Sequence, residues 1–226
     1  YEQALEVQPT SKLVLSKLLA IHEEAGNWDQ AVQVLTQLAE MEADAKRQAK
    51  YFYAVGAIQR DYLKDGFTAV RTFDKALDSD PSMLKAFQAI DKVLTDARDF
   101  ERQDRYYRKM LKRATEAQLD NALVVKLAKA LGEINRSRLQ KYDEAIKAYK
   151  IALAKNPQDT DVHGIVAQLY ELEGRADKAI AEYYKLIELN PRNIESYQNL
   201  RRLFMDSQRF DEAWCVCQVL TVLGQA

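Results

Sequence analysis

The chain has 226 residues and nearly balanced charge, with 33 Lys and Arg against 34 Asp and Glu. Chains that live on nucleic acid or anionic lipid are usually strongly basic, so this balance argues against both partners without excluding a local patch. Seven Gly and four Pro leave few turns between long elements, and Ala, Leu, Lys, Glu, Gln and Arg dominate, which is a helical composition. The apolar stretch KLVLSKLLAI (12–21) is broken by Lys17 and is too short for a membrane span or a secretory signal. Two Cys make no disulfide framework. The sequence begins at Tyr1, inside a phrase that it later repeats. We therefore expect a piece of a longer protein, with a cytoplasmic location.

In sequence order, YEQALEVQP (1–9) is a half-unit that ends at Pro9. Residues 12–43 carry Leu18, Leu19 and His22 at helical spacing, break at Gly26 and Trp28, and resume with Ala31, Leu35 and Leu38. Residues 46–81 end in GFTAVRTFDKALDSDP, and 84–115 hold Gln103 where the other units have Ala. Residues 119–157 end in YDEAIKAYKIALAKNP and 160–191 in ADKAIAEYYKLIELNP. The last unit, 194–225, holds Leu200, Arg201 and Phe204, then Phe210, Ala213, Cys217 and Leu220. The unit ends fall at 9, 43, 81, 115, 157, 191 and 225, in steps of 34, 38, 34, 42, 34 and 34. Each unit reads as two helices; Pro9, Pro81, Pro157 and Pro191 mark where a second helix must stop, and Ala43, Thr115 and Gln225 hold the same place in the other units.

This pattern, clearest at 142–157 and 160–191, resembles the tetratricopeptide repeat family. The resemblance implies an all-α fold, a right-handed solenoid of helix pairs in one array over 1–226, with a lone leading helix and thirteen helices in all. A 34-residue pair cannot bury its apolar stripe alone, so each stacks on the next. Small residues such as Ala145, Ala179 and Ala213 let backbones approach, and Tyr149 and Tyr183 fill the adjoining gaps.

The two long steps align Gly56 with Gly132, Ile58 with Ile134, Arg60 with Arg136 and Leu63 with Leu139. Both place 13 positions between the small Gly and the small Ala, against 12 elsewhere, which is a one-residue insertion in the inner turn. The remaining excess predicts longer helices around 44–63 and 117–136.

The chemistry-bearing residues are few. His22 and His163 sit at packing positions and offer no zinc or triad constellation. Cys215 and Cys217 diverge on one helix, with Cys217 in an aromatic packing slot. No phosphate loop, GxSxG or HExxH occurs, so neither cofactor nor catalytic activity is expected. RDFERQDRYYRKMLKR (98–113) carries seven basic and three acidic residues with Tyr106 and Tyr107. It reads as a nucleic-acid patch or as a solvated helix face with Tyr107 and Met110 in the core.

The resemblance places ligand contacts on the first helix of each pair. By position these are Lys50, Tyr53 and Arg60, then Lys85, Gln88 and Lys92, then Lys126, Lys129 and Arg136. Acidic residues flank them (Glu23, Glu24, Asp161, Glu171, Glu195) and dilute them (Asp61, Asp96, Glu133). Such a basic strip would favour an acidic peptide or a free C-terminal carboxylate. The family's carboxylate clamp also uses Asn, and no matching Asn is present. The implied function is a protein-interaction scaffold that holds a peptide on its concave face. An RNA-binding helical repeat and the regulatory arm of a larger enzyme are the alternatives.

The last helix, AWCVCQVLTVL (213–223), places Val216, Val219 and Val222 where the preceding repeat has Glu182, Lys185 and Glu188, read as facing water. With Trp214 beside them, these predict an apolar interface for a following repeat or for self-association.

Overall fold

The computed structural model describes residues 11–224. The leading half-unit and the final Gln225 and Ala226 lie outside them. The described residues contain no β-strand. Their α-helices are α1 Lys12–Glu24, α2 Trp28–Glu40, α3 Ala45–Asp61, α4 Gly66–Ser79, α5 Leu84–Asp96 and α6 Phe100–Glu116, then α7 Asn121–Glu133, α8 Tyr142–Lys155, α9 Thr160–Leu172, α10 Ala176–Leu189, α11 Ile194–Asp206 and α12 Phe210–Val222. A π-helical turn, Ile134–Arg138, continues α7. The helices fall into two compact units that divide between Leu119 and Asp120. Within each unit every helix packs on its neighbour in sequence, so α1–α6 and α7–α12 are each three antiparallel pairs.

Local chemistry explains where the helices start. Asp44, Asp65, Asp99, Asp120, Asp159 and Asn193 precede helices, and each side chain accepts a hydrogen bond from a first-turn backbone N–H. The turn inside each pair hinges on one residue at positive φ: Gly26, Lys64, Arg98, Gln140, Gly174 or Gln208. In four pairs the amide of the next residue bonds back five positions, as in Arg175 N–H to Tyr170 O at 2.8 Å and Asp99 N–H to Leu94 O at 2.9 Å.

The one-residue insertion acts here. In the pairs built around Gly56 and Gly132, the closing bond spans six positions, Asp65 N–H to Gln59 O at 2.9 Å and Lys141 N–H to Asn135 O at 2.8 Å. The extra residue widens the last helical turn rather than lengthening a loop. The first long helix matches expectation as α3. The second does not begin at 117, because residues 117–120 form a turn. The surplus of the 42-residue step is taken up by α6, which runs on to Glu116, and by α7 with its π turn, continuous over 121–138.

The pairs close on small residues. A Cβ on Gly56 would lie 2.7 Å from the Phe73 ring, and one on Gly132 would lie 2.7 Å from the Tyr149 ring. Ala145, Ala179 and Ala213 are likewise buried on the second helices. Gln103, which breaks the Ala pattern, is buried with its polarity satisfied, since Nε2 donates to Asp91 Oδ1 at 2.7 Å and Thr95 Oγ1 at 2.9 Å.

The two helical glycines of the second unit separate packing from propensity. Gly132→Ala gains about 1 kcal/mol of helix propensity against about 1–3 kcal/mol of overpacking on the Tyr149 ring, and we expect its melting temperature to fall. Gly164 has open space where its Cβ would be, so Gly164→Ala is expected to raise the melting temperature. Thermal denaturation followed by circular dichroism checks both.

Candidate functional site

In the unit of α7–α12, the first helices α7, α9 and α11 present rows at spacings of three and four. The α9 row is Asp161, Gly164, Ile165 and Gln168. Two cavities open along it. One of about 310 Å³ is lined by Asp161, Gly164, Ile165 and Gln168 from α9 and by Asn193 and Glu195 near the start of α11. The other, of about 220 Å³, is lined by Arg136, Tyr142, Ile165, Gln168 and Leu172. Ile165 and Gln168 belong to both, so the cavities form one path across the face of α9.

The α7 row is mostly committed to internal pairs. Lys129 Nζ lies 2.7 Å from Asp159 Oδ2, and Asp159 also caps α9. Burial alone would raise the Asp159 carboxyl, but the bonds from Lys129 and the Val162 N–H hold it below the usual carboxylate range. Arg136 pairs with Glu133 at 2.9 Å, and Tyr149 Oη donates to the same carboxylate at 3.1 Å. Burial, followed by the Glu133 charge, pushes the Tyr149 phenol up to about 12. Lys126 is exposed. Of the three cations expected in this unit, the structure brings only Arg136 to the cavities. Glu171 accepts from Tyr183 Oη at 2.7 Å and pairs with Arg202.

In the unit of α1–α6, the expected residues lie on α3 and α5. The Tyr53 and Phe73 ring centroids are 5.5 Å apart, and the Arg60 guanidinium sits 5.7 Å from the same Phe73 ring. Arg60 Nε lies 2.7 Å from Asp61. That bond, then the charges of Arg60, Lys64 and Lys92, holds the Asp61 carboxyl below its ordinary range. Arg60 and Lys92 thus share one carboxylate, while Tyr53 packs on the Phe73 ring that Arg60 also faces. Lys50, Lys85 and Gln88 are exposed farther along the same helices.

Two cations of the basic helix α6 reach α4. Lys109 reaches Asp74 at 2.6 Å, and Arg113, itself buried, pairs with Asp74 at 2.7 Å and with Asp78. Tyr107 and Met110 are core residues.

Two models of the family described as Tetratricopeptide repeat match residues 134–194 and 14–49. These two stretches are tetratricopeptide repeats. The chain's relatives include the Hsp70-Hsp90 organizing protein of Triticum aestivum, 27% identical over 206 residues that take in 87% of this chain and 32% of that protein. Hsp70-Hsp90 organizing protein 3 of Arabidopsis thaliana is 23% identical over 222 residues, 94% of this chain and 37% of that protein. The sequence spans about a third of the length of these curated relatives. Among solved structures, the crystal structure of MamA aligns with a TM-score of 0.48 and 24% identity, covering 75% of this chain and 94% of that one.

Away from the first-helix face, these repeats hold a feature that sequence reasoning misplaced. Glu182, expected to face water, is 4% exposed, and Val216 in the next repeat is 8% exposed. This place on the second helix faces inward in every pair of the unit, as buried Ala148 also shows. Lys185, Glu188, Val219 and Val222, one and two turns on, are exposed as expected. Glu182 tolerates burial because its Oε2 lies 2.7 Å from His163 Nδ1 and its Oε1 accepts from Lys185 at 3.1 Å. The other His163 nitrogen, Nε2, lies 3.0 Å from the Pro157 carbonyl. This pair borders a cavity of about 460 Å³ on the second helices, lined also by Lys150, Leu153 and Leu189. Among the other titratable candidates, Cys215 is exposed, Cys217 half-buried and His22 half-buried. Among the described residues no three His, Cys, Asp or Glu converge on a metal position, and no helix is long and apolar enough to cross a membrane.

One repeat on, Tyr197 replaces His163 and donates to the Pro191 carbonyl at 3.2 Å, while Val216 replaces Glu182. The two repeats therefore solve one packing problem with different chemistry. His163→Tyr or Glu182→Val alone strands its partner, and either is expected to lose about 3–5 kcal/mol. The double variant is expected to recover wild-type stability to within about 1 kcal/mol or to exceed it. Urea denaturation of the four proteins measures this coupling.

Proposed function

We propose that the repeats form a non-catalytic protein-interaction scaffold that seats a peptide segment along the first helices. The observation that carries this reading is the continuous path of the two cavities over α9, where Ile165 and Gln168 serve both. Its lining mixes the apolar Ile165, Leu172 and Leu186 with the polar Asp161, Gln168, Asn193 and Glu195, groups able to orient a peptide backbone. The exposed Lys50, Lys85 and Lys92 in the other unit support a preference for acidic segments there. The relatives' names make segments of Hsp70 and Hsp90 the first peptides to try. We also propose a cytoplasmic setting, which the free thiols of Cys215 and Cys217 support.

Isothermal titration with peptides tiled from Hsp70 and Hsp90 tests the scaffold. Gly164→Leu is expected to keep or raise the melting temperature, since its side chain meets open space in a helix, and to weaken binding at the second unit at least about tenfold, roughly 1.4 kcal/mol, by filling the path. Reversal of Lys50, Lys85 and Lys92 to Glu is expected to cost acidic peptides more than neutral ones. Unchanged affinity in both variants would move the binding surface off the first helices.

A further inference from the structure

The cavity of about 310 Å³ between α9 and α11 carries charge that the protein leaves unanswered. Asp161 on α9 and Glu195 on α11 both line it, and both are exposed. Neither forms an ion pair or a side-chain hydrogen bond among the described residues. The described lining holds no Lys or Arg. Three cations of the same first helices are held elsewhere, Lys129 by Asp159, Arg136 by Glu133 and Arg202 by Glu171. Helix polarity favours a carboxylate in any first turn, but it does not explain where these occur. The first turns of α1, α3, α5 and α7 hold no acidic residue, and those of α9 and α11, which share this cavity, do.

A second observation points to a ligand independently of the two acids. Ser196 lines the same cavity and is 1% exposed. Its backbone N–H donates to the Asn193 cap at 3.1 Å, but its hydroxyl bonds to no described residue. A hydroxyl this deep without a partner costs free energy that a polar guest would recover. On the α9 wall Gly164 leaves open space. Ile165 and Leu186 supply an apolar bed on which the methylenes of a long side chain can lie.

We propose that this cavity is a subsite for a cationic side chain of a bound peptide, arginine ahead of lysine. The stem of the side chain lies on Ile165 and Leu186. Its head sits between the Asp161 and Glu195 carboxylates, and the Ser196 hydroxyl accepts a hydrogen bond from it. A guanidinium offers five N–H donors in one plane, which suits acceptors on two helices better than the point charge of an ammonium. A metal ion is the poorer guest, because no three His, Cys, Asp or Glu converge on a metal position among the described residues. The adjoining cavity, with Tyr142 and Leu172, takes an apolar residue of the same peptide. The proposal rests on the first-helix reading of peptide binding, and for this unit it reverses the charge preference expected of a basic strip.

The probes are two peptides blocked at both ends, Gly-Arg-Gly-Leu-Gly and the same chain with citrulline, the neutral isostere of arginine. Each is titrated into the full-length protein labelled with nitrogen-15, and the amide signals of Gly164, Ile165 and Gln168 report occupancy of the path. At low salt the arginine peptide is expected to bind at least about tenfold more tightly than the citrulline peptide, with a lysine peptide between them. Asp161→Asn together with Glu195→Gln is expected to bring the arginine peptide down to the citrulline level and to leave the citrulline peptide unchanged, a difference that a general effect on folding would not produce. Ser196→Ala is expected to weaken the arginine peptide several-fold more than the citrulline peptide. Equal affinity of the two peptides, with the Gly164 and Ile165 amides moving in both, would overturn the subsite and leave the first-helix reading standing. Amides along α9 that neither peptide moves at millimolar concentration would also overturn the subsite, and if the Hsp70 and Hsp90 segments leave them unmoved as well, the first-helix reading falls with it. Saturable shifts of the Asp161 and Glu195 amides on adding micromolar calcium or magnesium chloride would assign the carboxylates to a metal and overturn the proposal equally.

Discussion

The contact of Gly132 with the Tyr149 ring sets how closely α7 and α8 approach, and Gly56 with Phe73 does the same for α3 and α4. A two-helix unit has only one apolar stripe per helix, so its stability rests on that approach and on stacking the pair against the next. The widened turns at Gln59–Asp65 and Asn135–Lys141 belong to these same two pairs. A first helix that carries glycine opposite a large ring thus also carries one extra residue in its closing turn. In the other pairs the equivalent first-helix place holds Leu19, Asp91, Ala167 or Arg201, and the turn closes one residue sooner.

Fixing the pairs also fixes which residues are left for chemistry. Side chains on the first helices that do not face their own second helix point across to the neighbouring first helix, and the cavities over Ile165 and Gln168 lie there. Much of the charge on this face is already used. Lys129 holds the cap of α9, Arg136 holds Glu133, and Glu171 is shared between Tyr183 and Arg202. What remains around α9 is a mixed lining of Ile165 and Leu172 with amide, hydroxyl and carboxylate groups rather than a basic strip. The concentration of free cations belongs to α3 and α5.

The fold was legible because period, small residues and prolines all state the same thing, down to the insertion shared by Gly56 and Gly132. The site was legible only in part. Positions transferred along the first helices include Arg136, which lines a cavity, but pass over Gly164, Ile165 and Gln168. A glycine within an otherwise regular helix was the available signal, since it costs helix propensity and here fills no packing role. Glu182 was misread because charge was taken as a mark of solvent. The periodicity of its own helix places it in register with Ala148 and Val216, and its partners, His163 on another helix and Lys185 on its own, make that burial tolerable.

The most direct measurement of the central claim, that recognition runs along the first helices, is methyl nuclear magnetic resonance of the full-length protein with isoleucine δ1 labels. The ligand is whichever Hsp70 or Hsp90 peptide binds most tightly. Ile165 lies in both cavities of the first-helix face, whereas Ile151 is exposed on the second helix α8. The account predicts that the Ile165 methyl shifts in proportion to peptide bound while Ile151 stays in place. A titrating Ile151 beside an unmoved Ile165 would contradict it.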